Sequence, residues 1–280
     1  MCRILWPILL LSAFTSWGGP LVQFRTVYGD IDVELFEDKP VTTQNFIRYV
    51  QSGLYKDMFF HRLVPRFVLQ GGGVYVADRH TNPSFFYVPT FPAITNEYLV
   101  GRRLSNLFGT IAMAKVGSDP NSATSQFFFN LTNNAANLDN QNGGFTVFGK
   151  ALRGTNVLNR FNFPSAPTNH ITIYNYGSPL DSTPMLSTSQ TYEDLVYVDI
   201  SLLNVQVKLG AAKQREISWV SFAGRSNFVE YTFLTNMPPK WFPMATNIGN
   251  GTTNTVIDAS PSNTNRFYRV RVDYPAAPLP

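Results

Sequence analysis

A chain of 280 residues has room for one large or two ordinary domains, each able to bury its own core. It is 44% hydrophobic and 14% aromatic but only 14% charged, which favours β-rich structure over long solvated helices, because aromatic side chains suit a half-buried pleated surface. A formal charge of +4 with no dense Lys/Arg cluster (Arg102-Arg103 is an isolated pair) argues against nucleic acid as the main partner.

The first nineteen residues have the pattern of a secretory signal peptide. Arg3 supplies a positive start, Ile4 to Phe14 form an apolar run broken by Pro7 and Ser12, and small residues including Ser16 and Gly18 follow. The run is shorter than the roughly 20 residues a spanning helix needs. The expectation is therefore an exported protein, periplasmic or extracellular, with no stable membrane insertion once residues 1–19 are removed. Cys2, the one cysteine, lies inside that segment, so the mature chain would carry no thiol and no cysteine metal site.

Val22–Val27 and Asp32–Phe36 alternate about Gly29-Asp30, which predicts a hairpin. Pro40 opens a helical pattern with Val41, Phe46, Ile47 and Val50 on one side, and Gly53 ends it. Met58 to Gln70 is strand-like and runs into Gly71-Gly72-Gly73. A Pro-, Asn- and aromatic-rich loop is expected from Asp78 to about Thr95. Further strands are expected at Gly109–Ala114, Ser125–Leu131 and Phe145–Lys150, with a short helix at Thr155–Phe161. Pro164 to Thr191 is rich in Ser, Thr, Pro and Asn and is expected as loop. Alternation over Leu195–Leu209 would complete the first domain. Residues 210–216 are polar and suggest a linker. Four or five strand-like pieces follow between Ile217 and Val272, with Trp219, Tyr231 and Trp241 as candidates for a small core. The division expected is thus 1–19 leader, 20–209 main domain, 210–216 linker and 217–280 small β-domain with a Pro-rich tail.

Conventional catalytic groups are scarce. Three His and no mature Cys leave little for metal or Cys/His chemistry, and no metal site or cofactor is expected. There is neither a G-x-S-x-G elbow nor a phosphate loop, and no helical pattern opens after Gly71-Gly72-Gly73. What stands out is Phe60-His61-Arg62-Leu63-Val64-Pro65-Arg66-Phe67-Val68-Leu69-Gln70-Gly71-Gly72. With Gly109–Ala114, Asn121–Phe128, Leu138-Asp139, Phe145–Lys150 and Asn45-Phe46, this run resembles the cyclophilin family over residues 21 to 209.

The resemblance implies a mainly β fold: a closed eight-stranded antiparallel barrel with two helices, here followed by a small C-terminal β-sandwich-like domain. It also implies peptidyl-prolyl cis-trans isomerase activity on proline-containing polypeptides. Arg62, Phe67 and Gln70 match the family's catalytic residues. Val68, Met113, Ala114, Lys115, Gln126, Phe128, Asn137, Leu138 and Phe145 match positions that bind substrate, with Met113 expected beside Phe67, Phe128 and Leu138 in the ring pocket. His61, next to Arg62, would point the other way in a strand and is read as structural.

Four positions depart from eukaryotic members. Asn137 stands for Trp, Phe145 for His, Val68 for Met and Lys115 for Asn, and the loss of the tryptophan implies weak cyclosporin binding. The competing reading keeps the fold without enzymology, as a holder of proline segments or a surface scaffold, with the 78–95 loop over the groove. It leaves Arg62 without a task. The ligand of the C-terminal domain is not legible.

Overall fold

The structure is a computed structural model that describes residues 20–203, 205–210, 214–221, 226–233, 240–250, 252–260 and 265–273. The expected leader with Cys2, and residues 211–213 of the expected linker, lie outside the described residues.

The chain begins with the predicted hairpin, β1 (Leu21–Thr26) and β2 (Gly29–Leu35), followed by α1 (Pro40–Gln51). Next come β3 (Arg62–Val64), β4 (Val68–Gly71), β5 (Val74–Ala77), β6 (Ser84–Tyr87), β7 (Thr110–Met113) and β8 (Phe127–Asn130). The one-turn α2 (Ala135–Leu138), β9 (Val147–Arg153) and α3 (Thr155–Arg160) complete the middle of the chain. The short strands β10 (Thr172–Tyr174) and β11 (Thr183–Met185) precede β12 (Asp199–Leu202).

Eight of these strands form one antiparallel sheet in the order β12-β1-β2-β9-β7-β8-β4-β3. The ladder ends at β12 and β3, a half-barrel of eight strands, and these two strands do not pair with each other. The segments leading into the edge strands do meet: Phe60 N donates to Val196 O and Val198 N to Met58 O, each at 3.0 Å. The period of two sends Val22, Phe24, Ile31, Val33 and Leu35 to the concave side, where they are fully buried. Phe46 and Tyr49 of α1 cover that side, and Phe24, Phe46, Phe127 and Phe129 pack there with ring centroids 4.9–6.4 Å apart. Such pairs add about 0.5–1.5 kcal/mol each beyond their area. Val41, expected on the apolar side of α1, is exposed instead. It sits in the first turn, where its amide and that of Thr42 donate to the Glu97 carboxylate at 3.1 and 2.7 Å. A distant glutamate thus caps the helix.

Both stretches expected as loop contain strands that form hairpins. β6 pairs with β5, and β10 with β11. They share a second core of Phe59, Val74, Val76, Met185 and Leu195. Aromatic residues at β6 and β11's contact with the main chain beside β3 supply apolar area that Ser/Thr/Pro/Asn composition conceals.

The chain beyond β12 forms β13 (Val205–Leu209), β14 (Arg215–Val220), β15 (Ser226–Phe233), β16 (Phe242–Ile248), β17 (Thr253–Asp258) and β18 (Arg266–Asp273). They make two three-stranded antiparallel sheets, β13-β14-β17 and β16-β15-β18. Between them lies a small core of Ile217, Trp219, Val229 and Val270, and Trp219 Nε1 donates to Asn227 Oδ1 at 3.0 Å. Tyr231 and Trp241 lie outside that core, half-buried, with the Arg269 guanidinium 4.2 Å from the Trp241 ring. β13 was expected to complete the first domain, yet it pairs with β14 from Val205↔Trp219 to Leu209↔Arg215. Gly210 N donates to Gln214 O at 2.8 Å, next to the Leu209↔Arg215 pair. Alternation marks a strand but does not say which sheet it joins.

A chain cut after Leu203 should therefore stay soluble and fold cooperatively. A cut after Leu209 should aggregate more, because β13 would be an unpaired edge. Light scattering and urea unfolding of residues 20–203 and 20–209 check this, with the opposite order contradicting the assignment of β13.

Candidate active site

The register of the large sheet lines up the signature residues. Arg62 pairs with Gln70, Gln70 with Phe128, Phe128 with Ala112, and Ala112 with Val147. Directly paired residues project to the same face. This row therefore runs across five strands on the convex face, while Leu63, Leu69, Phe129 and Ile111, one step along, fill the interior.

Around the row lies an apolar cluster of Val68, Ala112, Phe128, Leu138 and Val147, flanked by half-buried Phe67, Ala114 and Phe145. The Phe128 and Phe145 rings meet edge-to-face at 5.7 Å. Phe67 is delivered by the turn Val64–Phe67, in which Arg66 has φ 59° and its amide donates to Asn162 Oδ1 at 2.9 Å. The result is a shallow apolar depression with a guanidinium at its edge. Arg62 is half-buried, and no acid pairs with it among the described residues.

Met113 is not part of this depression. It pairs with Phe127 and is buried in the interior core, because Ala112 occupies the outward position on β7 and the next residue must face inward. Ala112 and Val147, the floor of the depression, were not predicted; the strand register is the signal that would have found them.

Gln70 Nε2 donates to Gln126 Oε1 at 2.7 Å, so these two predicted residues are one hydrogen-bonded unit. His61 lies behind them, hydrogen-bonded to Gln126 and almost wholly buried, and its Nδ1 has no partner. Burial, and secondarily the charge of Arg62, push the imidazole down to about 4, against the opposing pull of the Gln126 bond. Gly72 makes the close approach possible: it has φ 82°, and a Cβ there would lie 2.4 Å from Ser125 O.

Lys115 does not face the depression as an open strand edge. Its ammonium donates to Asn142 O at 2.6 Å and Gly144 O at 2.7 Å, and lies 4.5 Å from the centre of the Phe145 ring. Burial lowers it to about 8, with Asp119 pulling the other way. It clamps the 139–144 loop. Asn137 is exposed on α2, one residue from buried Leu138.

Beneath the depression runs a buried asparagine network that composition alone did not reveal. Asn130 donates to Asn106 Oδ1 at 3.1 Å and Thr110 Oγ1 at 2.9 Å, and accepts from Asn134 at 2.8 Å. Asn134 also donates to Phe67 O at 2.8 Å, and Asn106 to Phe145 O at 3.1 Å and Asp139 Oδ1 at 2.8 Å. Two pocket walls, at Phe67 and Phe145, are thereby tied to one another.

The model of the family described as cyclophilin type peptidyl-prolyl cis-trans isomerase/CLD matches residues 21–178. The chain belongs to this family. Among curated cyclophilin relatives, a peptidyl-prolyl cis-trans isomerase of Acinetobacter baylyi is 37% identical over 161 residues, covering 56% of this chain and 80% of its own length. Peptidyl-prolyl cis-trans isomerase A of Dickeya dadantii is 40% identical over 151 residues, 53% of this chain and 74% of that protein. Peptidyl-prolyl cis-trans isomerase B of Escherichia coli is 36% identical over 145 residues, 50% of this chain and 82% of that protein. The cyclophilin match ends before β11, so the strands from β13 onward are additional to it.

Two outcomes follow from the site's construction. In Asn130→Ala, the amides of Asn134 and Asn106 lose partners in a dry environment, at a cost of about 1–3 kcal/mol per orphaned group. Urea denaturation should show a loss of about 3 kcal/mol or more, and a loss under 1 kcal/mol would mean that the network is not buried as described. For His61, the folded ring binds a proton at about 4 and the unfolded one at its ordinary 6.5. The unfolded chain thus holds more protons between those values. Stability is fully present above about pH 6.5 and falls with pH toward 4, by about 3 kcal/mol from this residue. His61→Gln should flatten that part of the stability–pH curve, and identical slopes for both proteins would refute it.

Proposed function

We propose that this cyclophilin isomerises X–Pro bonds in polypeptides that have left the cytoplasm, with the proline ring seated against Phe67, Val68, Phe128, Leu138 and Phe145. The observation that carries the reading is the row Arg62–Gln70–Phe128, which sets a permanent cation and a polar amide beside an apolar depression. The expected leader supports the exported setting.

Rotation about an X–Pro bond must break amide resonance, against about 18–20 kcal/mol. No bond to a heavy atom forms, so a donor and a dry, shaped surface are sufficient. In the planar ground state the prolyl nitrogen's lone pair is delocalised and accepts poorly. In the twisted state it is localised, and a guanidinium aimed at it stabilises that state selectively. Arg62 supplies donors in a rigid fork, and its lack of an acidic partner leaves them for substrate. Gln70, held by Gln126, offers its amide to the peptide backbone. His61 stays neutral behind them and adds no competing charge. Asn137, at the rim in place of an indole, makes the groove a weak site for cyclosporin.

Arg62→Ala should lower kcat by about one to two powers of ten, the value of one charge-assisted hydrogen bond, with peptide affinity changed far less. Exchange spectroscopy on a short X-Pro peptide, with binding titrated in parallel, reads both quantities. Undiminished turnover in the variant would overturn the mechanism.

A further inference from the structure

The β5–β6 hairpin leaves three consecutive aromatic residues uncovered: Phe85, Phe86 and Tyr87 are 39%, 50% and 70% exposed on a strand of four residues. Together with Val74, Pro179 and Leu180 they line a cavity of about 120 Å³. No charged side chain lines it. For scale, an apolar cavity of roughly 150 Å³ accepts a benzene ring, so this one suits a single aliphatic side chain.

From these features we infer that the cavity is a second substrate subsite, which takes an uncharged aliphatic side chain of the same polypeptide whose proline occupies the groove. The inference rests on the isomerase reading above. The cavity is preformed, because its aromatic walls are braced from behind. Phe85 packs on Phe59 at 5.6 Å and Tyr192 at 4.8 Å, and Phe86 stacks on Tyr75 at 5.9 Å. Its two sides are also continuous with the groove. Val74 follows Gln70 by four residues, through Gly71-Gly72-Gly73. Pro179-Leu180 lead directly to Ser182, which bridges Arg62 and whose carbonyl accepts from Leu63 N at 2.7 Å. The next residue, Thr183, donates to His61 O at 3.1 Å. The hairpin and the 179–183 segment therefore form a wall that starts at Arg62 and ends at the cavity.

An extended peptide rises about 3.3 Å per residue, so a span of four residues is roughly 13 Å. With the wall spanning Gln70 to Val74, the proposal places that side chain three to five residues from the proline. The chemistry excludes an acidic side chain there, since burial among these rings would strip its water without giving a partner.

The test uses the full chain and peptides with one proline in an otherwise alanine sequence. A single leucine is moved from three to five residues away on either side. Binding is titrated by calorimetry, and turnover is read by exchange spectroscopy. One leucine position should tighten binding about ten-fold over the all-alanine peptide, and aspartate at that position should remove the gain. Phe86→Ser and Leu180→Ser should each abolish the leucine gain while leaving turnover of the all-alanine peptide unchanged. A leucine effect that is absent at every position, or that survives both substitutions, overturns the subsite. So does concentration-dependent sedimentation that both substitutions abolish without any leucine effect, which would mark a contact between copies of the chain. If the leucine peptide binds ten-fold tighter but no peptide is isomerised, the subsite stands and the isomerase reading falls.

Discussion

Four consecutive residues of β8, Phe127 to Asn130, are all buried, yet they serve opposite faces of one sheet. Phe127 and Phe129 fill the interior, while Phe128 floors the apolar depression and Asn130 anchors the polar network beneath it. A shift of one residue would exchange these sets, placing an asparagine in an aromatic core and two phenylalanines where the network sits. Register is therefore the constraint on which the site depends. It is pinned at the glycines of β4 and just beyond it: a Cβ at Gly71 would press on the Phe127 and Phe60 rings at 3.2 and 3.3 Å, and one at Gly72 would strike Ser125 O.

The same register explains how a site with so few titrating groups can work. The element proposed to act on substrate, Arg62, is a permanent cation whose placement is decided by pairing with Gln70. The groups around it are held neutral or bound: His61 by burial, Gln70 by Gln126, and Lys115 by two loop carbonyls. A polar network under the pocket is costly if any member is orphaned, and specific if every member is paired. Asn106, Asn130 and Asn134 are paired with one another, and through the carbonyls of Phe67 and Phe145 they fix opposite walls of the depression.

Around this unit the chain adds apolar structure of its own. The β5–β6 and β10–β11 hairpins bury a second small core next to Arg62, and the two sheets of the C-terminal part bury a third. Each is built from short strands that could not hold their shape without the neighbour they pack on.

The amino-acid sequence by itself determined the β-rich class, the first hairpin, α1, and the run from Phe60 to Gly72 that carries Arg62, Phe67 and Gln70. These features are local: a period of two, a proline at a helix start, or a contiguous motif. Only the tertiary structure decided that Met113 faces the core, because a strand's alternation has two phases and pairing with Phe127 selects one. It also decided that β13 belongs with β14, that Ser182 lies beside Arg62, and that Lys115 clamps a loop. The asparagine network joins residues from Phe67 to Phe145, far apart in the chain, and single Asn residues in polar stretches look like turn formers until folding removes their water. Which partner a strand or an amide finds is set by non-local packing, and that information appears in no window of the sequence.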